Sequence, residues 1–527
     1  MKHLFLDDDV IELQGNLQRR WHQPVKHGPP VLAPEGRLEH PRVHIWNPPL
    51  PAGDATDEAE DLRMWYIGGE ELHPLHARSD DGIEWRRPAL GLVEHESGAD
   101  NNLVDLGFDA ARKARRLVLC RVDGEASPYH ALTRVGGRLK PLDSEDGVTW
   151  RFHADHPGIP SDDEYRLGYD SDGGIFIATV KLGGRSGRAR FGAPEYGRAV
   201  ALATSEDGFD WTEPAMTFHA DHLDREAGAA ALETHARDAD LRSPLFDDPD
   251  HSWTDVYNMP VFRYEGLYLA LPIIFHQSGR WQYPGRPEGA NQDGLLWPCL
   301  AWSDDLRSWR RPATREPFIP LSPCDDPTVF DNGAIHACAP IRRGDELWFY
   351  YYASRFSHVS PAVLAEAGLV DAETVTGGIF LATLRLDGFA SMSAGSEPGA
   401  ILTKPIRVDG DALRVNADAA GGEIRGEIRD AETGRAIPGF SMGDALAPRT
   451  VTFADGRVEP RPSGWGARFE DDVEGDDSVP FSRDAVDAPL AWRGGADLAA
   501  LRGRSVRVLF SLRDAELYSF HFADDAR

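Results

Sequence analysis

At 527 residues the chain exceeds one ordinary domain, which predicts two or more hydrophobic cores. Hydrophobic residues at 41% and charged residues at 27% suit a soluble globular protein, and no run of about 18 apolar residues predicts a membrane helix. A formal net charge of −30 opposes nucleic acid and anionic membrane surfaces, and polyuronic or sulfated polymers unless a local basic patch receives them.

In chain order, the opening Met1 to Asp9 lacks the apolar core of a secretory signal. From about residue 41 one motif repeats five times: a strand pattern, a reversal, an aromatic-rich strand and a third strand. The repeats begin near Pro41, Asn102, Glu164, Val256 and Gly333. Four of them close in an acidic turn ending in Trp: Ser79 to Trp85, Ser144 to Trp150, Ser205 to Trp211 and Ser303 to Trp309. The fifth turn, Leu386 to Met392, is degenerate. The runs are short and rich in β-branched and aromatic residues between Gly, Asp and Pro, as strands are. Repeats of about 50 residues with this periodicity predict the blades of a five-bladed β-propeller.

Two insertions, about 215–252 and 276–294, have the length of functional loops, and the Ala-rich stretch 222–238 predicts a short helix. Gly183 to Gly187 reads as a flexible, basic hairpin. After about residue 396, alternating runs such as Leu413 to Ala417, Glu423 to Ile428, Val506 to Phe510 and Leu517 to Phe522 predict an antiparallel β-sandwich, with Glu470 to Asp477 as a surface loop. The expected organisation is all-β: a propeller over 1–395 and a C-terminal β-sandwich over 396–527.

In the Trp-ending turns, the Asp carboxylate suits backbone N–H groups and the Trp suits packing between neighbouring sheets. They point to architecture rather than to catalysis. Cys120, Cys299, Cys324 and Cys338 contain no Cys-x-x-Cys pair, which predicts reduced thiols in a cytoplasmic protein and no structural zinc.

Acids stand before the first strand of every repeat: Glu39, Asp100, Asp162 with Asp163, Asp255 and Asp331. In a propeller these positions face one axial pocket. Cleavage of an acetal needs two carboxyl groups in different protonation states, and clustered carboxylates separate their pKa values. Asp163 and Asp255 are the expected acid/base pair, with Asp331 and Asp100 tuning a pKa or binding substrate. A structural Ca²⁺ would find oxygen ligands in the same acids, although no cofactor is required. Trp46, Tyr257, Trp281, Tyr283 and Trp297 are candidates for stacking on a sugar ring. Asn258, Arg242, His276, His336, Arg355 and His358 are candidates for holding hydroxyls or a carboxylate. No Gly-x-Ser-x-Gly elbow, phosphate loop or His-Glu-x-x-His motif offers another chemistry.

Five repeats, acidic strand starts and an appended sandwich resemble the five-bladed glycoside hydrolase superfamily of invertases, levanases and arabinanases (families 32 and 43). Leu4 to Glu12, Asp81 to Glu94, Asp100 to Val104, Leu402 to Pro405 and Leu517 to Phe520 are similar to bacterial proteins labelled glycosyl hydrolase family 32 N-terminal-like. The resemblance covers most of the chain and implies hydrolysis or transfer at a glycosidic bond. The invertase motifs Trp-Met-Asn-Asp-Pro-Asn-Gly, Arg-Asp-Pro and Glu-Cys are absent, and His44-Ile45-Trp46-Asn47-Pro48 occupies the first repeat instead. Sucrose or fructan specificity therefore does not carry over. The expectation is a glycosidase acting on a small glycoside or oligosaccharide, a furanoside among the candidates, with a carbohydrate as its partner and room for a homo-oligomer. The alternatives are a non-catalytic carbohydrate-binding protein and a glycosyltransferase or phosphorylase.

Overall fold

The computed structural model describes residues 1–53, 61–96, 98–108, 116–183, 196–282, 290–371, 373–442, 450–452, 458–460 and 476–524. Tyr283, most of the Gly183 to Gly187 hairpin and most of the Glu470 to Asp477 loop lie outside them. The chain divides into two compact units. One is Gln23–Leu384, and the other joins Met1–His22 to Arg385–Arg527. Among the described residues no helix is long and apolar enough to cross a membrane.

The structure is all-β with few helices, and it corrects the expected five-bladed β-propeller. A propeller requires separate blade sheets set radially in a closed ring. Here seven open sheets form, and none closes or curls into a ring among the described residues. The fourth repeat shows why. Its strands, beginning near Val256, were expected to form one blade. They are cut at three prolines instead. Trp253–Asn258, Ile273–Gln282 and Ala290–Pro298 form one set, while Val261–Tyr264, Leu267–Ala270 and Ala301–Ser303 form a separate three-stranded sheet. Pro260, Pro272 and Pro298 stand at or beside the three breaks. A proline has no N–H for a ladder and fixes its own φ, so each break falls where pairing would have lost a donor.

The first of these sets then merges with strands expected in the fifth repeat. Ala334–Ala337, Glu346–Ser354, Gly377–Arg385 and Val25–Lys26 complete an eight-stranded sheet, Ile341–Arg343 being its side branch. The join is a parallel bridge between Leu296 and Ala334. The first three repeats form four-, five- and four-stranded antiparallel sheets.

The Trp-ending turns are built as their chemistry predicts. Asp81 Oδ1 accepts from the N–H groups of Ile83 and Glu84 at 2.8 Å each, and Asp146 accepts from Val148 and Thr149 at the same distance. Asp207 and Asp305 repeat the pattern. Gly82, Gly147 and Gly208 have φ of 81°, 78° and 76°, which favours glycine, whereas Leu306 takes φ 63° in the fourth turn. Neighbouring strands tie to the turn carbonyls: Tyr350 donates to Gly82 O at 2.6 Å and Trp65 to Gly147 O at 2.6 Å.

The Ala-rich segment is the helix His222–Arg237, capped by Asp221 and paired through Asp224 with Arg311. In the other unit, a six-stranded and a seven-stranded sheet share one core that includes Phe5, Ile401, Leu413, Ile424, Phe510 and Phe520. The first three strands of the chain belong to these two sheets, so Asp7, Asp8 and Asp9 lie in this unit.

Candidate functional site

Within Gln23–Leu384, strand ends from four sheets converge on a cavity of about 210 Å³. Val43–Ile45 contributes His44, with Arg42 before it and Trp46 after it. Arg116 precedes Leu117–Arg121, and Glu164 precedes Tyr165–Asp170. Tyr257 comes from Trp253–Asn258, His336 from Ala334–Ala337, and Tyr352 from Glu346–Ser354. His358 closes the wall from the following loop.

Glu164 is the buried carboxylate of this wall, 1% exposed. It pairs with Arg116 and accepts from Asn258 Nδ2 at 3.1 Å. Asn258 accepts in turn from Arg166 at 3.1 Å. The ladder between Trp253–Asn258 and Ile273–Gln282 is bulged between Val256 and Asn258. A bulge re-aims consecutive side chains, so Tyr257 and Asn258 both reach the same cluster. Tyr257 O–H lies 2.9 Å from His358 Nε2, and the Lys181 ammonium sits 4.7 Å from the centre of its ring.

Cations stand beside the same wall. The Arg116 and Arg166 guanidinium groups lie 4.5 and 5.4 Å from the Trp46 ring. His44 stacks on Tyr352 with ring centres 3.4 Å apart. Burial, reinforced by nearby arginines, holds His44 and His336 neutral, well below the usual histidine range. Burial also pushes His358 down to about 4.

The expected pair Asp163 and Asp255 flanks Lys181. Asp163 is half exposed and pairs with the lysine. Burial acts to raise its carboxyl, but Lys181 and Arg116 prevail and hold it low. Asp255 is 1% exposed and accepts from Arg198 N–H at 3.1 Å and Gln277 Nε2 at 2.9 Å. Burial raises its carboxyl above the ordinary range in spite of Arg198. Its Oδ1 has no hydrogen-bond partner among the described residues.

The structure brings Trp46, Tyr257, Asn258, His336 and His358 together with this cluster. It places the remaining candidates elsewhere. Asp331 is fully buried between Lys26 Nζ at 2.6 Å and Tyr351 O–H at 2.8 Å. Asp100 is on the surface of a wider cavity of about 570 Å³, beside Glu39 and Arg87. There the amides of Asn101 and Asn102 are spent on backbone carbonyls and on Tyr66, and Glu39 is neutralised by Arg87. That cavity is larger, but its polar groups largely satisfy one another.

His276 and Trp297 pack against each other, ring centres 4.2 Å apart, under the His222–Arg237 helix. An added Cβ on Gly228 of that helix would come within 2.1 Å of His276 Nδ1. Arg242 and Arg355 lie over Phe356 and Phe330 respectively, and Trp281 packs on Phe246. Among the described residues no group of three or more His, Cys, Asp or Glu side chains is placed to hold a metal ion.

Glu164, Arg116, Arg166, Lys181 and Arg42 were not singled out from the sequence. The available signal was alternation: Glu164 and Arg166, two residues apart on one strand run, face the same side as each other. Asp162 and Asp163 drew attention because acids before a strand read as strand starts, whereas Glu164 read as part of the strand.

No protein-family model matches the chain, and no curated protein sequence matches it. Among solved structures, one described as a glycoside hydrolase is 15% identical over 69% of this chain and 92% of its own, with a TM-score of 0.38. An N-acetylgalactosamine deacetylase from F. plautii, in complex with blood group B trisaccharide, is 13% identical over 70% and 96%, with a TM-score of 0.36. A GH32 β-fructofuranosidase from Bombyx mori is 12% identical over 96% and 95%, with a TM-score of 0.32. With all three scores below 0.5, the reading of the site rests on its own geometry.

Proposed function

We propose that the chain is a carbohydrate-acting enzyme that cleaves the glycosidic bond of a small glycoside in the cavity at Glu164. One observation carries this reading: a buried carboxylate stands on a wall shared with Trp46, Tyr257 and Tyr352 and with three neutral histidines. Aromatic faces suit the C–H faces of a sugar ring, and neutral imidazoles both donate to and accept from hydroxyls.

Cleavage of an acetal needs one ionised carboxylate and one protonated carboxyl. Glu164, paired with Arg116, suits the ionised role of base or nucleophile. Asp255, whose carboxyl burial raises, suits the acid, and Asp163 supports the ionised side through Lys181.

The test is turnover on a panel of aryl glycosides and oligosaccharides, with the product anomer followed by NMR. Glu164→Gln should lower kcat by at least about a hundredfold, within the range for removing a general acid or base. Measurable sugar affinity without turnover on any substrate would replace this reading by a carbohydrate-binding one.

A further inference from the structure

Among the described residues, the charges around the cavity do not balance. Two ionised carboxylates each hold a cation, Glu164 with Arg116 and Asp163 with Lys181, and the Asp255 carboxyl accepts from Arg198. Two further arginines, Arg42 and Arg166, have no carboxylate within ion-pair distance among the described residues. Arg42, partly buried, lines the cavity directly and hydrogen-bonds Tyr352, while its buried Nε has no hydrogen-bond partner among the described residues. Arg166 stands behind Trp46, 3% exposed; it donates to Asn258, while its Nε and one terminal nitrogen have no partner among the described residues.

An isolated buried guanidinium is costly, because it loses water and gains no counter-charge. The chain as a whole carries 86 acidic residues against 56 basic ones, so an unpaired cationic pair here runs against the general charge of the protein. The N–H inventory points the same way. Trp46 Nε1 is buried without a partner, and so are the two ring nitrogens of neutral His44, one a donor and one an acceptor, while the one carboxylate of the wall is already taken by Arg116 and Asn258. Among these unpartnered atoms, with Arg42 Nε, donors outnumber acceptors. A neutral sugar offers both in similar number, whereas an oxyanion offers acceptors and charge.

Resting on the proposed carbohydrate activity, we infer that the ligand of this cavity is anionic, a sugar carrying a carboxylate or phosphate whose oxygens seat at Arg42 in the field of Arg166. Arginine suits either group, because its planar fork matches two oxygens at once. The anion supplies a counter-charge that the described residues lack, and its sugar ring then lies against Trp46 and Tyr257.

The probes are D-glucuronate, D-galacturonate, glucose 6-phosphate and inorganic phosphate, against glucose and galactose. Binding is read by calorimetry and tryptophan fluorescence at low ionic strength. At least one anion should bind one-to-one and at least tenfold more tightly than the neutral sugars. Arg42→Gln and Arg166→Met should each weaken it at least tenfold, and weaken it more than they weaken binding of glucose or galactose. A uronate that binds without competition from phosphate identifies the carboxylate source; equal affinity for glucose 6-phosphate and inorganic phosphate identifies the phosphate source. The inference is overturned if no anion exceeds the neutral sugars in the wild-type protein, a comparison that needs no variant to fold. It is equally overturned if a folded Arg42→Gln protein binds the anion unchanged. Turnover of neutral glycosides with no anion preference would sink this inference alone, while anion binding with no turnover on any glycoside would sink only the enzymatic reading.

Discussion

Asn258 donates to Glu164 at 3.1 Å across 94 residues of sequence, and through the same side chain accepts from Arg166. One amide thus ties a buried carboxylate to a buried guanidinium without letting them form a direct ion pair. The bulge beside Tyr257 makes this possible by bringing Asn258 and Tyr257 to one cluster.

Asp255 is the group whose protonation the proposed chemistry needs. Asp255→Asn keeps the hydrogen-bonding shape toward Gln277 and Arg198 but cannot deliver a proton. Turnover should fall at least about a hundredfold, with the melting temperature little changed. A kcat equal to wild type would reject the role.

Asp331 and Lys26 form a buried pair outside the cavity, completed by Tyr351. Asp331→Asn leaves a buried lysine without its counter-charge. We expect a loss of about 3–5 kcal/mol in urea unfolding, the usual cost of breaking such a pair. Activity per folded molecule should be retained; a selective loss of kcat at unchanged stability would return Asp331 to the site.

The turn carboxylates stabilise rather than catalyse. Asp81 accepts two backbone N–H groups and the Ser79 hydroxyl. Asp81→Ala should cost about 1–2 kcal/mol, in line with losing hydrogen bonds to a charged acceptor at an exposed turn. KM and kcat measured below the unfolding transition should stay at wild-type values.

Acid should unfold the Gln23–Leu384 unit through its histidines. Burial lowers His76 and His276 to about 3 and His358 to about 4, from an ordinary value of 6.5. Below pH 6.5 the unfolded chain therefore binds protons that the folded chain refuses. The stability held above that pH is lost as the pH falls toward 4, by about 1.4 kcal/mol per pH unit for each such histidine. Urea midpoints at pH 7, 6, 5 and 4 measure the slope; a flat profile would contradict the buried neutral state.

The strand content, the Trp-ending turns and the helix at His222–Arg237 were legible in the sequence, because each depends on neighbours a few residues away. Asp at the third turn position and Gly at positive φ act within one turn. The site was legible only in part. Trp46, Tyr257, Asn258, His336 and His358 were named and do meet, whereas Glu164 was passed over in favour of Asp163, one residue earlier.

What the sequence alone determined is therefore local: alternation that makes strands, turn chemistry that joins them, and a long chain that needs more than one core. Which strands share a sheet was decided by tertiary structure. Backbone hydrogen bonds between strand edges carry no side-chain signature, so the bridge from Leu296 to Ala334 could not be read in advance, and the expected ring gave way to open sheets. The unpaired charges of Arg42 and Arg166 were hidden for the same reason. A guanidinium counts as paired or unpaired only once distant carboxylates have taken their places in space.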